Sequence, residues 1–306
     1  MTQTVSTVVP LIREQILNDI AVIKDNPDKR FRTLLSLFPM VPGAGENIKW
    51  PVNHSGITGS SFNPETDSYQ NPGEQSYSEA ILPWKYINVT LKISGRAQDV
   101  AEGALFNDGN LTAMLVEEAA RDLMMTLETQ LKGDGTGNEG KDIDGIQAAV
   151  SASGTYAGID RAVYTWWQSH INDVQGAWSE AEMQESLEAL LDSPRNGQVN
   201  LGVTGPTQWH KIANVLKSQN QYLNTTQLAA GATAIVYDGV PIVPISGYPN
   251  DRLDLINTDD FSIVVIRDVK VVELARTSDN EEYAVSFGCN LRCRNPRAQG
   301  ALVNLT

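Results

Sequence analysis

The densest run of residues able to do chemistry spans 133–144 and reads Gly-Asp-Gly-Thr-Gly-Asn-Glu-Gly-Lys-Asp-Ile-Asp. Gly135 to Lys141 has the glycine and lysine spacing of a phosphate-binding loop. That chemistry needs a Ser or Thr after the lysine to reach magnesium, a strand before the loop and a helix after it. Here Asp142 follows Lys141 and a helical pattern precedes the loop, so the context argues against nucleotide binding. Asp134, Asn138, Asp142 and Asp144 offer the oxygen ligands that calcium takes. An EF-hand frame begun at Asp134 puts Glu139 where the turn glycine belongs and Gly145 where the bidentate glutamate belongs. The run reads as a flexible polar connection rich in turn formers.

Cys289 and Cys293 are the only two cysteines. Four apart in a strand-like run, they share a face without being placed to bond each other. No second pair or nearby histidine completes a zinc set. They read as reduced, small core residues, which suits synthesis in a cytosol. The three histidines are His54 in a Gly/Ser-rich loop, His170 after the Trp166-Trp167 pair, and His210 early in a helix. None falls in a nucleophile elbow or a metalloprotease motif. No catalytic, cofactor-binding or metal-ligating residue is therefore assigned, no cofactor is expected, and an enzyme of mixed fold stands only as an alternative.

With 306 residues the chain can build one large domain or two modest ones. Hydrophobic content of 41% and charged content of 20% fit an ordinary globular protein. The apolar runs are too short to span a bilayer, and the first residues do not read as a signal peptide. A net charge of −14 argues against a tight, nonspecific nucleic-acid binder, because phosphate contacts need a basic surface.

The elements that surround the glycine-rich run follow from periodicity. Asn110 can cap a helix whose stripe is Leu111, Leu115, Ala119, Leu123, Leu127 and Leu131, widened by Met114 and Met125. Glu117 and Glu118 can pair with Arg121, and Gly133 ends the helix. The rod is about 33 Å long. Before it, Val9 to Lys24 reads as an amphipathic helix opened by Pro10, followed by an apolar stretch broken at Pro39, Pro42, Gly43 and Gly45. From Asn47 to Ser94 a long hairpin is expected. Ile48 to Val52 would form one limb and the alternating Ile87, Val89, Leu91 and Ile93 the other. Between them Asn53 to Ala80 is rich in Ser, Gly, Asn, Pro and acids, as in a projecting arm.

After the long helix, Ser179 to Glu182 is a capping box opening a helix with Met183, Leu187, Leu190 and Leu191. Val199 to Thr204 reads as a strand. Gly205-Pro206 opens a helix carrying Trp209, Ile212, Val215 and Leu216. Strands are then expected at 235–237 and 240–245 around an Asp238-Gly239 turn, and at 253–257, 261–266, 270–275 and 283–291.

This order of parts resembles the tailed-bacteriophage major capsid protein of the Hong Kong 97-type fold, which encapsulin shells share. The resemblance is carried by the hairpin limbs up to Ile93, the long helix, Gly133 to Gly137, Asp144-Gly145-Ile146, the strand-helix unit 199–216, the turn at Asp238-Gly239-Val240-Pro241-Ile242 and the last strands. It implies an α+β capsid fold with a spine helix and an extended hairpin lying over a neighbouring subunit. The implied division is an N-terminal arm at 1–45, the hairpin at 46–95, a peripheral domain from 96–145 and 250–306, and an axial domain at 146–249. The implied function is self-assembly into hexamers and pentamers of an icosahedral capsid around double-stranded DNA, with the chain made in the host cytoplasm and residing in the virion. An encapsulin-type compartment shell is the alternative within the fold. Scaffolding, portal and decoration proteins are implied partners, with packaged DNA nearby but not specifically bound, and no membrane. The arm begins near Pro10, so a scaffolding segment is expected to be separate or already removed. Relatives that cross-link through a hairpin lysine differ from this chain, where 53–80 holds no lysine and Lys49, Lys85 and Lys92 sit on the limbs. No covalent mesh is expected.

Overall fold

The computed structural model describes residues 2–3, 33–56, 75–97, 99, 111–192, 197–218, 225–227, 233–275 and 279–306. The expected helix at 9–24, the cap at Asn110 and the tip of the hairpin at 57–74 lie outside them.

The long helix runs Leu111–Gln130. Leu115, Ala119, Leu123, Leu127 and Leu131 are all buried, so the fourfold stripe is the packing face. It seats on a five-stranded sheet ordered 2–3, 85–94, 280–293, 261–273, 40–42. Phe261–Glu273 is one strand rather than the two expected at 261–266 and 270–275. Register shifts on either side of Arg267 bend it without ending it.

A seven-stranded sheet, ordered 225–227, 233–237, 240–244, 201–204, 253–256, 300–305, 170–176, forms the second layer. One of its faces presents Leu201, Val203, Ala234, Val243, Ile256 and Ala301 to the same core as the spine helix. The other presents Ile235, Ile242, Leu253, Leu255 and Leu302 to the helices Glu180–Leu191 and Pro206–Ser218. Cover on both sides explains why 201–204 and 253–256 are buried at every position, without the alternation of a half-exposed strand. Strands 253–256 and 300–305, from the end of the chain, are interior strands of this sheet.

Local signals behave as their chemistry dictates. Ser179 accepts the Glu182 N–H at 3.3 Å, while the Glu182 carboxylate turns away to Asn172 at 2.8 Å, so only half of the capping box forms. Leu191 is turned to solvent. Asp238 and Gly239 both take positive φ, 46° and 80°, as a tight primed hairpin turn requires.

Candidate assembly surfaces

The hairpin differs from its expected form. Ile48–Ser55 pairs antiparallel with Ser76–Leu82, not with 87–93. The alternating strand Lys85–Ser94 instead pairs with Asn280–Cys293 in the five-stranded sheet. The reason is Pro83, which has no N–H to continue a ladder and marks the point where the chain leaves one sheet for the other. At the root of the hairpin Ile48, Trp50, Ala80 and Leu82 are buried. Trp84 donates from Nε1 to the Gly45 carbonyl at 2.9 Å, and Gly43 is pressed so near Trp84 that a Cβ there would sit 2.4 Å from the ring. Farther out, Tyr77 is exposed. His54 lies on the limb strand rather than in a loop, and its ring stacks on Trp166 at 4.5 Å between centroids.

The glycine-rich run caps the spine helix. The chain turns back after Gly133, and Gly145 comes against the last helical carbonyls. A Cβ on Gly145 would lie 2.5–2.7 Å from the oxygens of Gly133, Leu131 and Gln130. Only glycine fits there. The Ile146 N–H then donates to Leu131 O at 2.8 Å and Gln147 Nε2 to Lys132 O at 2.6 Å, which satisfies carbonyls a helix end leaves bare. Two carboxylates of the run hold the local fold. Asp134 accepts from the Thr136 N–H and hydroxyl at 3.1 and 2.8 Å, and these bonds hold it below the usual carboxylate range. Asp144 accepts from Asn290 Nδ2 at 2.8 Å, and Asn290 also bonds the Pro83 carbonyl. Asn138 and Glu139 take left-handed backbone, φ 50° and 57°. Lys85 donates to the Gly140 carbonyl. Asn290, fully buried in the central strand, thus ties the hairpin root to the end of the spine helix. Nothing in its local pattern marked it.

The far end of the five-stranded sheet forms a tongue. Along 261–273 burial gives way to exposure from Arg267 onward, and Val269, Val271, Val272 and Leu274 are exposed apolar residues. The outer edge of this strand is paired only at Ile263 to Val265, by Met40–Pro42. Beyond that no strand among the described residues covers it. The Arg267 guanidinium lies over the Tyr86 ring at 5.9 Å.

Inside the lobes, polar groups are internally consumed. Arg252 grips Asp254 through Nε at 2.9 Å and Nη2 at 2.7 Å, and reaches Val150 O at 2.5 Å. Tyr248 donates to the same carboxylate, and burial pushes its phenol well above its ordinary value. Arg161 spends its donors on the Ala148, Ala149, Ser153 and Trp167 carbonyls. Cys289 and Cys293 are buried and free, and burial lifts the Cys289 thiol to about 12. His210 is exposed in its helix against Trp209. His170 opens the edge strand His170–Gly176. The histidines are not brought together with the carboxylates of the 133–144 run, and no group of three metal-ligating side chains occurs among the described residues.

A spine helix under one sheet, a second sheet with its own helices and a separate projecting hairpin define the phage major capsid fold. A subunit of the cyanophage A-1(L) capsid superposes with TM-score 0.75 at 17% identity, over 97% of this chain and 98% of that one. The SrpI encapsulin of Synechococcus elongatus PCC 7942 gives 0.65 at 13%, over 100% and 96%. The capsid of an empty GTA particle gives 0.69 at 11%, over 99% and 98%. The family model for the SU10 major capsid protein matches residues 87–306, and the chain belongs to that family. It is a structural capsid subunit and not an enzyme. No curated protein matches the sequence.

Proposed function

We propose that this subunit assembles into hexamers and pentamers that tile an icosahedral shell around double-stranded DNA. The observation that carries this reading is the hairpin, which forms a two-stranded sheet of its own, joined to neither large sheet. A ladder of that kind is marginal alone in water and gains by lying on another surface. The root of the hairpin is already buried against this chain's own core, and a neighbouring subunit is the surface for its exposed outer part. The spine helix and five-stranded sheet would form the peripheral domain, and the seven-stranded sheet with its two helices the axial domain. The net charge of −14 keeps DNA from sticking as it enters. Scaffolding, portal and decoration proteins are the expected partners, and synthesis is in the host cytoplasm.

No covalent cross-link is expected through Lys49 of the hairpin or through Lys85 and Lys92 of the five-stranded sheet. Lys49 faces Glu79 at 3.7 Å and Lys92 meets Glu282 at 2.5 Å, so a single band on a denaturing gel of assembled particles is expected, and a ladder of multimers would refute the absence of cross-links. The encapsulin likeness supports a second reading, a compartment enclosing protein cargo. Electron microscopy of purified particles, with nuclease digestion and extraction of the contents, separates the two. Five- and sixfold capsomers around nuclease-protected DNA support the capsid. A shell filled with protein supports the compartment, and the absence of any shell contradicts both.

A further inference from the structure

The end of the spine helix and the turn that follows it carry two buried charged residues that the shell-forming surfaces do not use. Glu128 is 4% exposed and Lys132 8%. Lys132 follows Glu128 by four residues, in the turn just past the end of Leu111–Gln130. Each reaches out to a different part of the molecule. Glu128 Oε1 accepts the Leu34 N–H at 3.2 Å and Oε2 the Leu35 N–H at 3.0 Å. These are first-turn amides of Thr33–Leu37, which have no partner within their own helix. Lys132 Nζ donates to the Ser246 carbonyl at 2.6 Å, in the loop that follows Val240–Pro244 of the seven-stranded sheet.

What Glu128 holds is a strap. Its helix buries Leu34 and Phe38, with Phe38 stacked on Phe261 at 5.3 Å. Met40–Pro42 then adds to the open edge of the five-stranded sheet. Only three residues pair there, and Met40 and Val41 remain exposed. The strap is thus seated by two apolar side chains, a short parallel ladder and one carboxylate. Burial lowers the Lys132 pKa and the Glu128 charge opposes that shift, which agrees with two charges sensing each other in a poorly screened interior.

We propose that Glu128 and Lys132 form a two-ended clasp that couples the seating of the 33–42 strap to the seating of the 245–248 loop. A buried carboxylate is tolerated while the amides and the nearby ammonium compensate it, and a buried ammonium while the carbonyl and the carboxylate do so. Unseating the strap takes the Leu34 and Leu35 N–H donors from Glu128, changes the field that Glu128 exerts on Lys132, and loosens the loop. Linkage makes the effect reciprocal, so loosening the loop must loosen the strap by the same factor. In an assembling shell this lets contacts made by the N-terminal strap be felt in the other sheet.

The test is hydrogen–deuterium exchange on the full-length protein, all variants in one assembly state. It follows the Phe38, Gly43 and Ile263 amides, which bond across the strap, and the Ile245 and Tyr248 amides of the loop. Glu128→Gln should speed exchange in the strap by about tenfold and in the loop severalfold, and Lys132→Met should do the same with the order reversed. Leu34→Ala, which removes a buried apolar side chain but keeps the backbone amide that Glu128 accepts and leaves both charged side chains in place, should speed the loop as well by unseating the strap. It keeps the proposal testable if a charge variant fails to fold. Acceleration confined to the mutated end in every folded variant would overturn the clasp.

Discussion

The two sheets of this subunit are built from similar β-branched residues and end in opposite situations. The seven-stranded sheet is covered on both faces, by the shared core and by its own two helices, and its strands 201–204 and 253–256 are buried at every position. The five-stranded sheet is covered where the spine helix lies and bare beyond Arg267, where a run of valines stands in solvent. One sheet is finished within a single chain and the other is not. Exposed, extended apolar strand is an aggregation hazard that natural proteins avoid unless a partner covers it. In a capsid subunit the partner is another copy.

If that contrast is right, damage to the finished sheet should cost folding, and damage to the unfinished one should cost assembly. The largest folding loss is expected from Asp254→Ala, which strands the Arg252 guanidinium and the Tyr248 hydroxyl in the interior. Denaturant unfolding should show about 3–5 kcal/mol lost, and a loss under about 1 kcal/mol would mean the pair is far better solvated than its burial indicates. Gly145→Ala comes next. Its methyl has no room among three carbonyl oxygens, and about 1–3 kcal/mol should go as the spine helix end shifts; an unchanged melting temperature would refute the cap.

Cys289 sharpens the comparison through pH. Its thiol rises from the ordinary 9.0 to about 12 in the folded chain, so the folded state keeps a proton that the unfolded state releases. That contribution is intact below about pH 9 and is lost as pH climbs toward 12. Native protein should resist alkylation at pH 8, whereas prompt modification would show that this strand opens readily. The smallest change in stability is expected on the tongue. Val271→Ser with Val272→Thr should move unfolding by no more than about 0.5 kcal/mol while reducing particle yield severalfold. Normal particles from that variant would remove the tongue from the assembly surfaces.

How far the sequence foretold this follows from where the information is local. The spine helix, its stripe, the Ser179 cap and the Asp238-Gly239 turn are set by residues within a turn or two of each other, and each stands as its periodicity predicts. Strand partnership is a long-range choice. Ile87 to Ile93 has the alternation of a hairpin limb, but Asn280–Cys293 competes for it, and Pro83 lies between it and the hairpin that does form. Strands 253–256 and 300–305 likewise give no local sign of which sheet they join. Asn290 and Glu128 had no signature either. Their partners are 146 and 94 residues away, and a polar residue in an apolar pattern reads as an ordinary interruption until those partners are in place.

The central claim is that the bare tongue and the outer part of the hairpin exist to meet other copies of this chain. Light scattering of the purified full-length protein across concentration and salt tests it most directly. Capsomer rings or shells, far above the 33.4 kDa of one chain, are the predicted result. A monodisperse monomer under every condition would contradict it.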